Sequence, residues 1–109
     1  MEDLELLSFN IISAVGTAKS RYVQAMYLAE KGDFDEARAK IKEGEESFVK
    51  GHEAHASLIQ KEACGEKTVP TILLLMHAED QLMNAETTKI MAEEIIKLSQ
   101  RIKKLEGGE

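Results

Sequence analysis

Apolar residues recur at spacings of three and four over the first part of the chain. They are Leu4, Leu7, Ile11, Val15, Ala18, Tyr22, Ala25 and Ala29. Because this is the period of one helix face, the pattern predicts a first helix over residues 4–31. Gly32 suits the left-handed position that follows a helix, and Asp33 with Glu36 is typical of an N-cap and its capping-box partner. We therefore expect a tight turn into a second helix.

The same spacing continues through two more segments. Between Phe34 and Ile59 it predicts a second helix over residues 33–63, which Gly65 ends. Pro70 fits the first turn of a third helix, and no breaker follows before about residue 105. The pattern predicts a single domain over residues 1–109, folded as an antiparallel three-helix bundle.

Two features of these helices concern their packing. Gly44 and Gly51 lie seven residues apart in the second helix, either where a neighbouring helix comes close or at tolerated positions on the exposed side. The apolar stripe of the third helix, which includes the unbroken run from Ile72 to Met76, is wider than one pair of neighbouring helices needs to cover it. We therefore expect another subunit to cover part of that stripe.

The composition supports an all-α fold in one domain. The 109 residues include 16 Glu and 12 Ala but one Pro and no Trp, so good helix formers dominate. Aromatic and β-branched residues, which fill sheets, are scarce. The length leaves no room for a second domain.

Charge and apolar runs exclude several classes of function. The net charge is −6 and no Lys/Arg cluster stands out, so the electrostatic footprint of a nucleic-acid-binding protein is missing. The longest apolar run is far shorter than the ~20 residues of a membrane span, and no basic start of a signal peptide is present. The single cysteine, Cys64, forms neither an internal disulfide nor a cysteine-type zinc site. We expect a cytoplasmic protein.

Polar residues replace apolar ones in the first half of the third helix. On the stripe that ends at Leu105, the heptad spacing passes through His77, Gln81, Asn84 and Thr88. Counting the ~1.5 Å rise per residue along antiparallel helices puts His55 level with His77 and His52 level with Gln81. All three histidines of the chain are therefore expected in one band, near residues 9–11 of the first helix.

Asp80 lies one turn after His77 on the wide face of the third helix. An isolated buried carboxylate is costly unless a proton, a cation or hydrogen bonds neutralise it. If this face meets copies of itself around a symmetry axis, the copies of Asp80 crowd together and call for a bound cation. Mg²⁺, which prefers oxygen ligands, is the natural candidate.

The histidine band has three interpretations. His77 could be a nucleophile whose neutral imidazole accepts and releases a phosphoryl group. Alternatively, His52, His55 and His77, with Glu53 or Glu79, could bind zinc or a similar metal. In the third interpretation the histidines are packing residues of a non-catalytic helical trimer that acts as an adaptor. The absence of a Gly-rich phosphate loop, a serine elbow and HExxH fits a carrier that needs no nucleotide pocket.

Two segments resemble a known family. The string GDFDEARAKIKEGEESFVKGHEAHASLIQKEACGE begins at Gly32, and the pattern LLxxHAxDxLM extends from Leu73 to Met83. Both are similar to the lactose/cellobiose-type enzyme IIA of the phosphoenolpyruvate-dependent sugar phosphotransferase system. Gly16, Ala18 and Ser20 of the first helix also match, so the resemblance covers nearly the whole chain.

The resemblance implies a homotrimer in which His77 is phosphorylated. Copies of Asp80 then lie on the three-fold axis and bind one divalent cation, usually Mg²⁺. The phosphoryl group comes from the histidine phosphocarrier protein HPr and passes to a cysteine of enzyme IIB, and the membrane enzyme IIC completes uptake. The substrates implied are β-linked disaccharides such as cellobiose, chitobiose and lactose, and the sequence does not distinguish them.

This chain departs from the family pattern on both helices. Glu79 and Gln81 stand where Gln and His are common, and His55-Ala56 stands where Gln-Thr is common. We expect Gln81 to orient His77 through a hydrogen bond, and His52 or His55 to support the phosphate.

Overall fold

Three α-helices make up almost all of the described chain. The computed structural model describes residues 4–65 and 70–107. The helices are α1 (Leu4–Glu30), α2 (Phe34–Ala63) and α3 (Leu73–Leu105), and these described ranges contain no strand. The predicted all-α class with three helices is therefore confirmed. The ends of α1 and α2 lie within one residue of the prediction.

Gly32 makes the turn between α1 and α2. Its φ is +92°, which glycine adopts at no steric cost. The N–H of Gly32 donates to the carbonyl of Ala29 (3.0 Å), and that of Asp33 donates to Leu28 (2.9 Å), which is the Schellman pattern of a helix end. Asp33 is the N-cap of α2, but its side chain makes no capping hydrogen bond. The predicted capping box is wrong because Asp33, with ψ of 69°, lies outside the β-region that side-chain capping requires.

The third helix starts later than predicted. Pro70 lies outside α3, and Ile72 is the N-cap with extended backbone angles of φ −112° and ψ 154°. The first helical bond runs from the N–H of Met76 to the carbonyl of Ile72 (3.1 Å). The prediction of a start at Pro70 is wrong because Thr71 and Ile72, both β-branched, favour extended backbone. Residues 66–69 of the preceding connection lie outside the described residues.

α1 lies between the other two helices and packs against both, whereas α2 and α3 share a smaller contact. One face of α1 is buried along its whole length: Ser8, Ile11, Val15, Ala18, Tyr22, Ala25 and Ala29. Near the α1–α2 turn this face packs with Ala92 and Ile96 of α3. At the opposite end it packs with Ala78 and Leu82. The core is therefore a narrow seam along α1.

The two glycines inside α2 allow α1 to come close. A Cβ on Gly44 would lie 2.8 Å from Cδ1 of Tyr22, and a Cβ on Gly51 would lie 2.7 Å from Cγ1 of Val15. Both distances are shorter than real carbon contacts, so the close-approach interpretation of the two glycines is confirmed. Residues that come later in α2 meet residues that come earlier in α1.

We expect Gly44→Ala to lower the free energy of unfolding by about 2 kcal/mol, because the added methyl group overpacks the contact with Tyr22. Gly16→Ala is the matched control. Nothing lies within 4 Å of a Cβ at Gly16, so this substitution should stabilise the helix by about 0.5–1 kcal/mol. Chemical unfolding of both variants checks the prediction, and equal effects of the two substitutions would contradict it.

Tyr22 is the largest fully buried side chain of the core. Burial is the main cause that raises the pKa of Tyr22 to about 12, and the carboxylates of Glu45 and Glu93 add to the shift. Lys89 lies near the same two carboxylates. Its hydrogen bond to Glu45 is the main cause that raises the pKa of the Lys89 ammonium.

The stability of the fold should therefore fall in alkaline solution. The unfolded chain loses the Tyr22 proton near pH 10, whereas the folded chain keeps it until about pH 12. Between these values deprotonation favours the unfolded state and removes up to about 2 kcal/mol of stability. Tyr22→Phe should remove most of this loss, and Tyr27→Phe, at a tyrosine that is 62% exposed, should leave it unchanged. Unfolding curves across this pH range check the prediction; identical slopes for the two variants would contradict it.

Candidate functional site

His77 lies in the second turn of α3 with its side chain exposed. The next residue, Ala78, and Leu82 one turn later are buried against Ile11 and Val15 of α1. These contacts fix which side of α3 faces α1. They leave the imidazole of His77 in solvent at the edge of the α1–α3 contact.

His55 on α2 contacts α3 at the level of His77. Its Nε2 lies 2.8 Å from Oε2 of Glu79, and the His55 side chain is 16% exposed. Glu79 follows His77 by two residues, so the predicted height of His55 is correct to within two residues. Residues two apart on a helix point about 200° away from each other. In one chain His55 faces the side of α3 opposite His77.

His52 is exposed and stacks on Phe48 of its own helix, with ring centroids 5.9 Å apart and an interplanar angle of 27°. Phe48 in turn packs against the core. Within residues 4–65 and 70–107, no hydrogen bond joins His52 or His55 to His77 or Gln81. The three histidines therefore share a band along the bundle without meeting in one chain.

Gln81 and Asp80 lie one turn after His77. Gln81 is half-buried and follows His77 by four residues, so both side chains lie on the same side of α3. Asp80 is exposed. Met76 is 50% exposed and Met83 is 65% exposed, so the carboxylate of Asp80 stands between apolar side chains that are largely open to solvent.

The histidines do not form a metal site in a single chain. Among the described residues, no group of three or more His, Cys, Asp or Glu side chains could hold an ion. The interpretation of His52, His55 and His77 as zinc ligands of one chain is therefore wrong. His52 is turned toward Phe48, and Glu79 holds His55 on the far side of α3.

The wide apolar face of α3 is exposed in the single chain. This agrees with the sequence, in which the apolar stripe is wider than two neighbouring helices can cover. Its exposed large apolar residues are Leu73, Met76, Met83, Ile90, Met91, Leu98, Ile102 and Leu105. This is more apolar surface than scattered single residues would give, and such patches mark interaction sites. The described part of the chain has no helix long and apolar enough to cross a membrane.

A small cavity lies between the end of α2 and the beginning of α3. It measures ≈ 110 Å³ and is lined by Leu58, Ile59, Leu75 and Met76 beside Glu62 and Glu79, with Pro70 and Thr71. Sites for small molecules usually measure ~300 Å³ or more. His77 does not line this cavity and is exposed at the surface.

The contact between His55 and Glu79 is not among the predictions from the sequence, in which Glu79 is a candidate only for binding zinc. Counting the rise per residue along the two helices puts His55 within two residues of Glu79. A carboxylate that close to a histidine along the bundle is the signal from which the pair could be predicted.

Comparisons with known proteins match nearly the whole chain. The family model described as "PTS system, Lactose/Cellobiose specific IIA subunit" matches residues 6–100. The chain is 44% identical over 107 residues to the lichenan-specific phosphotransferase enzyme IIA component of Bacillus subtilis (strain 168), covering 98% of this chain and 96% of that protein. It is 33% identical over 100 residues to the lactose-specific EIIA component of Staphylococcus aureus, covering 92% and 96%.

A solved structure agrees with the sequence comparisons. The crystal structure of the cellobiose-specific enzyme IIA from Bacillus anthracis superimposes with a TM-score of 0.85 at 36% identity, covering 94% of each chain. The match spans the helix that carries His77 as well as the helices that position it. The chain therefore belongs to the lactose/cellobiose-specific enzyme IIA family of the sugar phosphotransferase system.

Proposed function

We propose that this chain is a phosphocarrier that accepts a phosphoryl group from HPr on His77 and passes it to a cysteine of enzyme IIB. The exposed imidazole of His77, held at the edge of the α1–α3 contact, is the observation that supports this role. Membership of the family supports the two partners and work in the cytoplasm, with enzyme IIC as the link to the membrane. The relatives named for lichenan, lactose and cellobiose support uptake of a β-linked disaccharide.

The transfer has two steps. An unprotonated nitrogen of His77 attacks the phosphorus carried by the histidine of HPr, so a new P–N bond forms as the old one breaks. A thiolate of enzyme IIB then attacks the same phosphorus. A P–S bond forms, the P–N bond to His77 breaks, and the imidazole is neutral again. We expect Gln81, one turn away on the same side of α3, to accept a hydrogen bond from the second ring nitrogen and hold the tautomer.

His52 and His55 are further candidates for support of the phosphate. His55 of the same chain is turned away from His77, because it is bound to Glu79 on the other side of α3. We therefore expect any support by His52 or His55 to come from a neighbouring copy of the chain.

We propose that the protomer is an antiparallel three-helix bundle that assembles as a homotrimer through α3. The opposite order of contacts between α1 and α2 supports the antiparallel arrangement. The exposed apolar face of α3 supports assembly, because it points away from α1 and gains hydrophobic free energy when copies cover it.

The three copies of Asp80 in a trimer would bind the single Mg²⁺ ion that the family implies. Each chain offers a single carboxylate between Met76 and Met83 on this face, and a carboxylate oxygen is a ligand that Mg²⁺ prefers. One chain alone does not hold the ion. When bound, the cation would offset two of the three negative charges that assembly brings together.

The phosphocarrier role is tested by intact-mass measurement after incubation with phosphoenolpyruvate, enzyme I and HPr. We expect one acid-labile phosphoryl adduct per chain. His77→Ala should remove the adduct completely, because the variant lacks the imidazole nitrogen that accepts the phosphoryl group. His52→Ala should slow its formation by about tenfold or less and leave its final amount unchanged.

Two outcomes would contradict the role. One is the lack of an adduct on the wild-type chain while a second enzyme IIA in the same tube is phosphorylated. The other is an adduct that persists in His77→Ala.

The cation is tested by native mass spectrometry and thermal unfolding with and without a chelator. We expect one Mg²⁺ per trimer, and loss of at least about 3 kcal/mol of stability per trimer on chelation, because three buried carboxylates lose their counter-charge. Asp80→Asn should give a trimer whose thermal stability does not change when the chelator is added. Asp35→Asn, at an exposed carboxylate in the first turn of α2, should respond like the wild type. A wild-type trimer insensitive to the chelator would contradict the site.

A further inference from the structure

His55 and Glu79 form a bridge between α2 and α3. The Nε2–H of His55 donates to Oε2 of Glu79 across 2.8 Å. The His55 side chain is 16% exposed and the Glu79 side chain is 43% exposed, so water reaches the carboxylate but little of the imidazole. A hydrogen bond to a carboxylate is stronger than one between neutral groups. The bridge lies at the height of His77 along the bundle.

Within one chain the bridge acts on His77 at a distance. Glu79 follows His77 by two residues and points about 200° away from it around α3. Neither His55 nor Glu79 therefore reaches a phosphoryl group on the same chain's His77. Any influence of the bridge on His77 has to pass through the backbone of α3.

The beginning of α3 has few other attachments. Ile72 caps the helix without a side-chain hydrogen bond. Leu73 is 81% exposed and Met76 is 50% exposed, so Leu75 and Ala78 are the buried residues of the segment from 73 to 78. Ile72 and Leu74 are partly buried as well. Such apolar contacts fix the rotation of a helical segment only loosely, because apolar packing is not directional. A hydrogen bond from Glu79 to a second helix is directional and does fix it.

We propose that His55 and Glu79 are a positioning pair that sets the rotation of the first two turns of α3, and with it the orientation of the His77 imidazole for phosphoryl transfer. This proposal rests on the phosphocarrier function above. In-line attack needs the nitrogen close to phosphorus and aligned with the leaving group, and a displacement of about 1 Å can cost about a hundredfold in rate. The pair thus acts on transfer within its own chain without touching the group that His77 of the same chain carries.

The link between the two helices does not require a charged partner. His55 and Glu79 are the two partners of one bond. A Gln–Gln pair at the same positions can also form a hydrogen bond, because an amide both donates and accepts. The bond between α2 and α3 would then survive in an uncharged form.

The test is a double-mutant cycle on kcat and KM for phosphorylated HPr, using the full chain. His55→Phe keeps the buried ring and removes the donor, and Glu79→Ala removes the acceptor. We expect each to lower kcat about tenfold with KM unchanged, and the double variant to be no slower than either alone. His55→Gln/Glu79→Gln should recover most of the lost kcat. Circular dichroism establishes that each variant is folded at the assay temperature. If His55→Phe is unfolded, the test uses Glu79→Ala alone, because the Glu79 side chain is 43% exposed and its removal leaves the core intact.

A matched control separates positioning from general stability. Glu45→Ala breaks the bridge from Lys89 Nζ to Glu45 Oε2 (2.7 Å), which also joins α2 to α3 and lies ten residues away along each helix. It should leave kcat unchanged. The proposal is overturned if the folded variant of the pair keeps the wild-type kcat, or if the two single losses of kcat multiply in the double variant. It is also overturned if Glu45→Ala lowers kcat as much as the variants of His55 and Glu79 do. A wild-type chain that takes no phosphoryl group would instead refute the proposed function.

Discussion

The close packing of α1 against α2 is the constraint on which the rest of this structure depends. Gly44 and Gly51 leave no side chain between the helices, so the ring of Tyr22 and the methyl groups of Val15 fill the space directly. Because α1 buries its single apolar stripe there and against α3, it becomes the central helix of the protomer. α3 then contacts α1 with one narrow face and has the rest of its circumference for other uses.

Those other faces of α3 carry different kinds of side chain. Ala78 and Leu82 face α1, Glu79 reaches α2, and Asp80 lies beside exposed apolar side chains. His77 occupies the remaining side, where it is exposed. Four consecutive residues of one helix thus supply a core contact, a bridge, a position on an exposed apolar face and an exposed imidazole. An imidazole at the surface fits the proposed transfer between two different proteins.

The sequence predicts the helices well because their signals are local. The spacing of three and four locates each helix, and Gly32 predicts the turn that the structure contains. The start of α3 was harder, since Pro70 is a good first-turn residue and only the β-branched pair Thr71 and Ile72 argues for extended backbone. The Asp33 capping box failed because side-chain capping depends on a ψ value that residue identity does not determine.

The site was predictable in height but not in rotation. Counting residues along antiparallel helices needs only the rise per residue, so His55 was placed within two residues of its partner. Which side of α3 faces α2 depends on the packing of Ala78 and Leu82 on α1, and that packing involves residues far apart in sequence. The contact of His55 with Glu79 is therefore a property of the fold, although both residues stand out in the sequence.

The central claim is that His77 alone carries the phosphoryl group. Phosphorus and proton NMR of the chain after incubation with phosphoenolpyruvate, enzyme I and HPr tests this most directly, because the coupling between phosphorus and ring protons identifies the modified imidazole. We expect one phosphorylated ring nitrogen, on His77, and loss of the phosphoryl group when enzyme IIB is added. Phosphorus coupled to the ring of His52 or His55, or a signal that enzyme IIB does not discharge, would contradict it.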